Sequence, residues 1–272
     1  MIFRRRTVAN VCNFEGIGLH SATPVRIAVH PGQRGIAFRK GADRWEAKPE
    51  NVTGVNRCTK LGDISTIEHL MSALAGLEIT DAEIEVDGTE MPGLDGSSLP
   101  YVEGLRAAGF FDLGEYAVIE MFKRAFIQEG DAKLAVSDGT GHWKYSFETG
   151  DRWPHEQVYE TTDPVSDYES EVAPARTIVF GDEIELAKAH GLGKGLDEDS
   201  VVVLDATGYR FPTRFGDEPV RHKMLDLIGD LYLSGMPIRA LNVSAHRTGH
   251  KSNIEAAFKV RELLSASRKS GG

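Results

Sequence analysis

Residues 217–235, DEPVRHKMLDLIGDLYLSG, decide how the second half of the chain folds. Pro219 falls in the first turn of a predicted helix over residues 217–234, and Gly235 follows its end. A β-rich segment, residues 238–244, comes next. The stretch therefore predicts one well-delimited helix followed by a strand.

This helix carries a polar stripe. At about 100° per residue, His222, Asp226 and Asp230 share one narrow face. The opposite, apolar face consists of Met224, Leu225, Ile228 and Leu231. A histidine and an aspartate at i, i+4 can reach a common metal ion, and a neutral imidazole with a carboxylate suits zinc. The alternative is a solvated polar face with an ordinary His/Asp pair, and the spacing alone favours that alternative.

Residues 65–77, STIEHLMSALAGL, predict a helix of the same kind in the first half. Ser65 and Glu68 stand in the relation of a capping box, apolar residues recur at helical spacing, and Gly76 marks the end. A strand at residues 82–86 follows, as one follows the later helix. The repeated order predicts an α+β protein of two similar domains, residues 1–112 and 116–272, each a small β-sheet with helices.

Adjacent residues at the start of this first helix offer a second hint of metal chemistry. His69 is positioned like His222, and adjacent helical side chains diverge by about 100°. His69 can therefore bind a metal while Glu68 leans toward a water, as the base of a metal-assisted hydrolase must. The alternative is the capping box itself, in which Glu68 serves only the backbone N–H of Ser65. Spacing alone favours the cap.

Composition excludes several functional classes. Of 272 residues, 41% are hydrophobic and 26% charged, as in soluble globular proteins. A formal charge of −10 repels a phosphate backbone, so nucleic acid is not an expected partner. Cys12 and Cys58 form no Cys-x-x-Cys pair, which favours a reducing, cytoplasmic location. The longest apolar run, residues 70–77, is far shorter than the roughly 20 residues that cross a bilayer.

Other segments are less specific. A Gly-rich turn holds His20, and residues 91–98 read as a turn in which Asp95-Gly96 closes a β-hairpin. Thr177 is either a hydroxyl donor or an ordinary strand residue, and His250 is either catalytic or merely exposed. Residues 150–174, rich in Asp, Glu, Pro and Thr, predict a long irregular loop.

Taken together, six segments resemble one family, the zinc-dependent UDP-3-O-acyl-N-acetylglucosamine deacetylases of lipid A biosynthesis. The resemblance runs from residue 1 to about residue 262, and RHKMLDLIGDL together with TIEHL is its most specific part. Because both motifs are present, a metal site is favoured over the structural alternatives. The segments are GIGLHS (16–21), STIEHLMSALAGL (65–77), EIEVDGTEMPGLDGSSLPYV (83–102), ARTI (175–178), EPVRHKMLDLIGDL (218–231) and TGHKSN (248–253).

The resemblance implies a fold and a metal site. The expected architecture is a sandwich of sheet, helices, helices and sheet, with the site at the domain junction. His69, His222 and Asp226 become the zinc ligands and Glu68 the general base, while Thr177 helps to bind the oxyanion. Three protein ligands leave an open position for water, as in catalytic zinc sites.

It also implies groups that handle the substrate. His250 is the cationic partner of the departing amine and is held by Asp230, while Lys223 and His20 face the substrate's polar part. The imidazole beside a carboxylate is expected to titrate above about 6.5, and the general base below it. Among the apolar residues, Phe180 is a candidate for contact with the acyl chain. Leu186 and Leu192 share that interpretation, and all three fit a core position equally well.

The expected substrate is an acylated UDP-amino-sugar, and the protein is expected to be a monomer that meets a membrane at most peripherally.

The sequence departs from the family pattern at three places. The segment between Thr59 and Ser65 is shorter than usual, Lys251-Ser252 replaces a small apolar residue and a leucine, and Ile178 stands where an aromatic is common. None of these departures replaces a residue that the resemblance implies to be catalytic. A paralogous deacylase of another amino sugar and a catalytically silent sugar-nucleotide-binding protein remain alternatives. Retention of the whole set of proposed catalytic and metal-binding residues disfavours the silent protein.

Overall fold

A computed structural model describes residues 1–118, 120–121 and 123–270 of the chain. The elements alternate as an α+β protein requires. The strands are β1 (Ile2–Val8), β2 (Cys12–Ile17), β3 (Pro24–Pro31), β4 (Ile36–Lys40), β5 (Asp43–Glu46), β6 (Val52–Gly54), β7 (Lys60–Leu61), β8 (Ala82–Val86), β9 (Phe110–Ala117), β10 (Ala125–Glu129), β11 (Ala132–Asp138), β12 (Trp143–Glu148), β13 (Glu156–Thr161), β14 (Thr177–Phe180), β15 (Val201–Leu204) and β16 (Leu241–His246). The helices are α1 (Glu68–Gly76), α2 (Leu99–Ala108), α3 (Ile184–Ala189), α4 (Glu218–Tyr232) and α5 (His250–Ser270).

Two five-stranded sheets share one topology. The first has the order β2-β3-β8-β4-β5 and the second the order β10-β11-β16-β12-β13. In each sheet the strand that follows the central helix lies in the middle. It runs antiparallel to one neighbour and parallel to the other, as β8 does with β3 and β4 and β16 with β11 and β12. The expected pair of similar α+β halves is thus confirmed.

The helices lie between the two sheets. α1 packs against α4, α4 and α5 pack on the second sheet, and α2 packs on β2 of the first. Inward-facing residues of the strands complete the core; in β3 these are Val25, Ile27 and Val29. The sandwich order expected from the family resemblance is therefore present. The break predicted between residues 112 and 116 falls within β9, which pairs antiparallel with β1, and the division into domains there remains a prediction.

The first central helix begins later than its sequence indicates. Ser65 donates its backbone N–H to the Thr89 carbonyl at 2.9 Å, and Thr66 has a left-handed backbone with φ 62°. Both features hold the chain outside the helix until Glu68, so α1 has no side-chain cap. The predicted capping box is wrong, and with it the structural alternative for Glu68.

Two loop predictions also fail. Residues 150–174 contain an edge strand, β13, which pairs with β12. Only Tyr159 and Thr161 of this strand are buried. Because acidic residues stand on its exposed face, the sequence does not show the apolar alternation that predicts a strand. No hairpin forms at Asp95-Gly96. Asp95 instead pairs with Arg214 at 2.9 Å, because this turn contacts the second half of the chain.

The contact between α1 and α4 depends on a glycine. A Cβ atom built on Gly229 of α4 would lie 2.1 Å from the Glu68 carbonyl oxygen and 3.1 Å from the Ser72 amide nitrogen. Real Cβ atoms do not approach backbone so closely. Glycine at position 229 therefore sets the distance between the two central helices.

Gly229→Ala is expected to lower the free energy of unfolding by about 1–3 kcal/mol, because α1 must move away from the added methyl group. Alanine has a higher helix propensity than glycine, which alone would stabilise the protein by about 1 kcal/mol. A net loss of stability is therefore expected only if the added methyl group meets the α1 backbone as closely as the 2.1 Å distance indicates. Urea unfolding measures the difference. Gly208→Ala, whose Cβ meets nothing within 4 Å, is the control and should change stability by less than about 0.5 kcal/mol. Equal stability of Gly229→Ala and the parent would contradict the close contact.

Candidate active site

Three candidate metal ligands meet where α1 faces α4. His69 comes from α1, and His222 and Asp226 come from successive turns of α4. One ligand atom from each lies within 4.8 Å of the other two. Asp226 Oδ1 is 3.4 Å from His222 Nε2 and 3.8 Å from His69 Nε2. The sequence-predicted set is therefore brought together in space.

The polar stripe of α4 faces the protein interior. Asp226 is 3% exposed and Asp230 fully buried, because α1 covers this side of the helix while the second sheet covers the other. A solvated polar face is thereby excluded. Burial of so many polar groups is costly unless each has a partner, so their partners are informative.

Burial sets the protonation of the imidazoles. It lowers the pKa of His222, and it lowers the pKa of His69 to about 3, with His222 adding to the effect. His222 also donates its Nδ1 proton to the Ala175 carbonyl at 3.1 Å, which leaves a lone pair on Nε2. Both rings are therefore neutral and able to bind a metal ion.

The carboxylate of the cluster is ionised. Burial opposes the charge of Asp226, but Lys223 and the neighbouring imidazoles outweigh burial and hold the pKa of Asp226 far below its usual range. Lys223 Nζ donates to Asp226 Oδ2 at 2.9 Å, so Oδ1 remains directed toward the imidazoles. Two neutral imidazoles and one carboxylate form a donor set of the kind that catalytic zinc uses.

Glu68 lies beside this cluster and is 3% exposed. The Thr59 backbone N–H donates to Glu68 Oε2 at 3.0 Å, and Oε1 is 3.9 Å from His250 Nε2. Burial raises the pKa of Glu68 to about 8; the charge of His250 lowers it, and the charges of Asp230 and Asp226 raise it. The expectation that Glu68 titrates below about 6.5 is thus wrong for the metal-free chain, because the sequence did not show its burial.

His250 and Asp230 form a second buried pair. His250 Nδ1 is 3.0 Å from Asp230 Oδ2, although the two residues belong to different helices. Burial lowers the pKa of His250, but the charge and hydrogen bond of Asp230, with Glu68 and Asp226, outweigh burial and raise it to about 9. The imidazole is therefore cationic at neutral pH, as expected for an imidazole beside a carboxylate.

These groups open onto one cavity of about 380 Å³. Thr177 lies on its wall, where its backbone N–H is anchored to the Gly96 carbonyl at 2.8 Å. His20 lies on the wall as well, and its Nδ1 accepts a hydrogen bond from the Gly193 N–H at 3.3 Å. Burial lowers the pKa of His20, so this ring is neutral. The remaining wall is partly apolar and includes Leu19, Val55, Ile178, Leu192 and Leu196.

The structure does not bring Phe180 to this cavity. The Arg152 guanidinium lies 3.5 Å from the centre of the Phe180 ring, and both residues line a separate cleft with Trp153. Leu186 is 62% exposed and likewise lies outside the cavity lining, whereas Leu192 is part of it. Sequence position alone cannot distinguish these residues, because their placement depends on the path of β14 and α3.

A buried ion pair positions the wall that carries Thr177. Arg176 donates to Glu218 from its backbone N–H at 3.0 Å and from Nε at 2.9 Å. Glu218 is fully buried at the start of α4, one turn before His222. Sequence reasoning did not single out Arg176, Glu218 or Thr59, although the first two lie inside quoted motifs.

The fold and the site together define a two-sheet α+β protein with a buried candidate metal centre between its central helices. A family model described as LpxC, UDP-3-O-acyl N-acetylglycosamine deacetylase, matches residues 5–262. The chain belongs to this family. No helix among the described residues is both long and apolar enough to span a membrane.

Several relatives resemble the chain over most of its length, and each is named UDP-3-O-acyl-N-acetylglucosamine deacetylase. The protein of Leptospira biflexa serovar Patoc is 35% identical over 271 residues, which is 94% of this chain and 89% of that protein. The protein of Geotalea uraniireducens is 35% identical over 97% of this chain and 89% of its own length. The protein of Aquifex aeolicus is 34% identical over 95% of this chain and 92% of its own.

In the metal-free protein, NMR titration of the His250 imidazole should give a pKa of about 9. Asp230→Asn should lower this pKa to about 6.5 or below, because burial remains while the facing negative charge is lost. Asp205→Asn, at a surface aspartate paired with Arg210, is the control and should leave the value unchanged. A pKa near 9 in Asp230→Asn would show that Glu68 and Asp226 maintain the cation without Asp230.

Proposed function

We propose that this chain hydrolyses the acetamide of UDP-3-O-acyl-N-acetylglucosamine, releasing acetate and the free 2-amine. The reaction is zinc-dependent, takes place in the cytoplasm and is an early committed step of lipid A biosynthesis. One observation carries the proposal: a three-ligand cluster, a buried carboxylate and a buried cationic imidazole open onto the same cavity. The family membership of the chain and the names of its relatives support the choice of substrate.

His69, His222 and Asp226 would hold the zinc ion. When bound, zinc supplies Lewis acidity and positive charge, which acidify water, polarise a carbonyl and favour the ionised form of Glu68. Lys223 neutralises part of the ligand charge through Asp226 and, with His20, faces the polar part of the substrate.

Glu68 acts as the general base. Its Oε2 is fixed by the Thr59 amide, so Oε1 remains free to take a proton from the attacking water. Acceptance of that proton is favoured by the burial that raises the pKa of the carboxyl group. A carboxylate in this setting is stable with or without its proton, which is what a base requires during turnover.

Thr177 and His250 serve the later stages of the reaction. The Thr177 hydroxyl donates to the oxyanion that develops when water adds to the acetyl carbonyl. His250 donates its Nε2 proton to the amine as the C–N bond breaks, since its Nδ1 is occupied by Asp230. The amine then leaves neutral together with acetic acid, which ionises to acetate. Transfer of the proton held by Glu68 to the neutral His250 restores both groups.

The direct test is to incubate the zinc-loaded protein with the nucleotide sugar and to measure acetate and free amine. Equal amounts of both products support the proposal. An intact substrate that is nevertheless bound tightly would identify a catalytically silent binding protein. An intact, unbound substrate, with release of an acyl group from another amino sugar, would identify a paralogous deacylase.

Asp226→Ala should lose at least 10- to 100-fold in zinc affinity while the fold persists, because one ligand is lost from a helix whose apolar contacts remain. Equilibrium dialysis with metal analysis measures the affinity, and circular dichroism checks the fold. Asp205→Ala removes a surface carboxylate outside the cluster and should bind zinc like the parent. Stoichiometric zinc retained by Asp226→Ala at parent affinity would contradict the ligand assignment.

Glu68→Gln should retain zinc and substrate binding but lower turnover by about 10²–10⁴-fold, the range for loss of a general base. The glutamine carbonyl can still accept the Thr59 N–H, so the change separates proton transfer from local structure. Steady-state kinetics on zinc-saturated protein measure kcat and KM separately. An unchanged kcat would assign the base role to another group.

A further inference from the structure

Thr59 contacts both acid–base groups of the proposed reaction. It immediately precedes β7 in the first half of the chain and is fully buried. Its backbone N–H donates to Glu68 Oε2 at 3.0 Å, and its hydroxyl donates to Asp230 Oδ1 at 2.5 Å. Thr59 Oγ1 is also 3.4 Å from His250 Nδ1.

The hydroxyl of Thr59 donates its proton to Asp230 rather than to His250. A threonine hydroxyl has a single hydrogen to donate, and the ionised carboxylate is the stronger acceptor. The other oxygen of Asp230, Oδ2, accepts from His250 Nδ1 and from Asn253 Nδ2, each at 3.0 Å. Thr59 therefore fixes the rotation of the carboxylate on one side, while His250 and Asn253 fix it on the other.

We propose that Thr59 is a positioning residue, which holds the Asp230–His250 pair in a fixed position relative to Glu68. This inference rests on the proposed function, because it concerns the two groups that would move protons during deacetylation. One short segment is hydrogen-bonded to Glu68 of α1 and to Asp230 of α4. The distance from His250 Nε2 to Glu68 Oε1, 3.9 Å, depends on both contacts.

Thr59 acts through these neighbours rather than on the substrate. It is not among the residues that line the cavity, and its side chain is enclosed. Loss of the hydroxyl would leave Asp230 Oδ1 without its donor in the interior, and the carboxylate would rotate to regain one. His250 would move with it. The effect should therefore appear in kcat, while KM and zinc content remain close to those of the parent.

The test uses Thr59→Val and Thr59→Ser on the zinc-loaded full chain. Valine has the shape of threonine and keeps the backbone N–H, so it removes only the hydroxyl; serine restores the hydroxyl. We expect kcat of Thr59→Val to fall about 10- to 100-fold, the equivalent of a hydrogen bond to a charged group, with KM changed less than about 3-fold. Thr59→Ser should retain kcat within about 3-fold of the parent.

A matched control is Thr161→Val. Thr161 is another buried threonine whose hydroxyl donates to an aspartate, Asp167, and it lies outside the cavity lining. The kcat of Thr161→Val should equal that of the parent even if the substitution lowers the melting temperature. A general loss of stability therefore cannot account for a kcat effect confined to position 59.

A double-mutant cycle with His250→Ala completes the test. If Thr59 acts through the Asp230–His250 pair, Thr59→Val should lower kcat much less in His250→Ala than in the parent. Equal losses in both backgrounds, a parent-like kcat in Thr59→Val, or failure of serine to rescue would overturn the positioning role. If Thr59→Val does not fold, Thr59→Ala, which also lacks the hydroxyl, replaces it in the same comparisons with Thr59→Ser and His250→Ala. A parent protein that releases no acetate overturns the proposed function as well, whereas an active parent with an unaffected Thr59→Val overturns only this inference.

Discussion

The close contact between α1 and α4 is the constraint on which the rest of the molecule depends. Gly229 allows the backbone of α1 to approach α4 so closely that a methyl group would meet the Glu68 carbonyl. At this separation His69 of one helix reaches Asp226 of the other. The second sheet packs on α4, and α2 packs on both α1 and the first sheet, so the side chains at the helix contact are buried.

Dehydration makes the polar groups of this contact depend on one another. Lys223 keeps Asp226 ionised, and Asp230 keeps His250 cationic, each against the effect of burial. Burial raises the pKa of the Glu68 carboxyl to about 8, because the charge of His250 only partly offsets the effect of burial. The same low-polarity setting therefore produces a permanent anion, a cation and a group poised to exchange protons near neutral pH.

The sequence predicts the parts of this arrangement that are local. Pro219 and Gly235 delimit α4 closely, and the metal-site residues are found by their spacing together with the family resemblance. Features that depend on distant chain segments are not predictable in this way. The start of α1 is set by the bond from Ser65 to Thr89, and the buried location of Glu68 raises its pKa rather than lowering it. The apolar side chain of Phe180 suggests a cavity residue, but the path of β14 places it beside Arg152.

The candidate ligands come from both halves of the chain, one from α1 and two from α4. A metal ion bound by all three would join the two halves across the helix contact, so the free energy of metal binding would also stabilise the packing of one half on the other. Such linkage makes the resistance of the fold to unfolding increase with the concentration of free metal. Metal shortage would then act twice on the protein, first on its chemistry and then on its lifetime in the cell, because unfolded chains are removed by proteases.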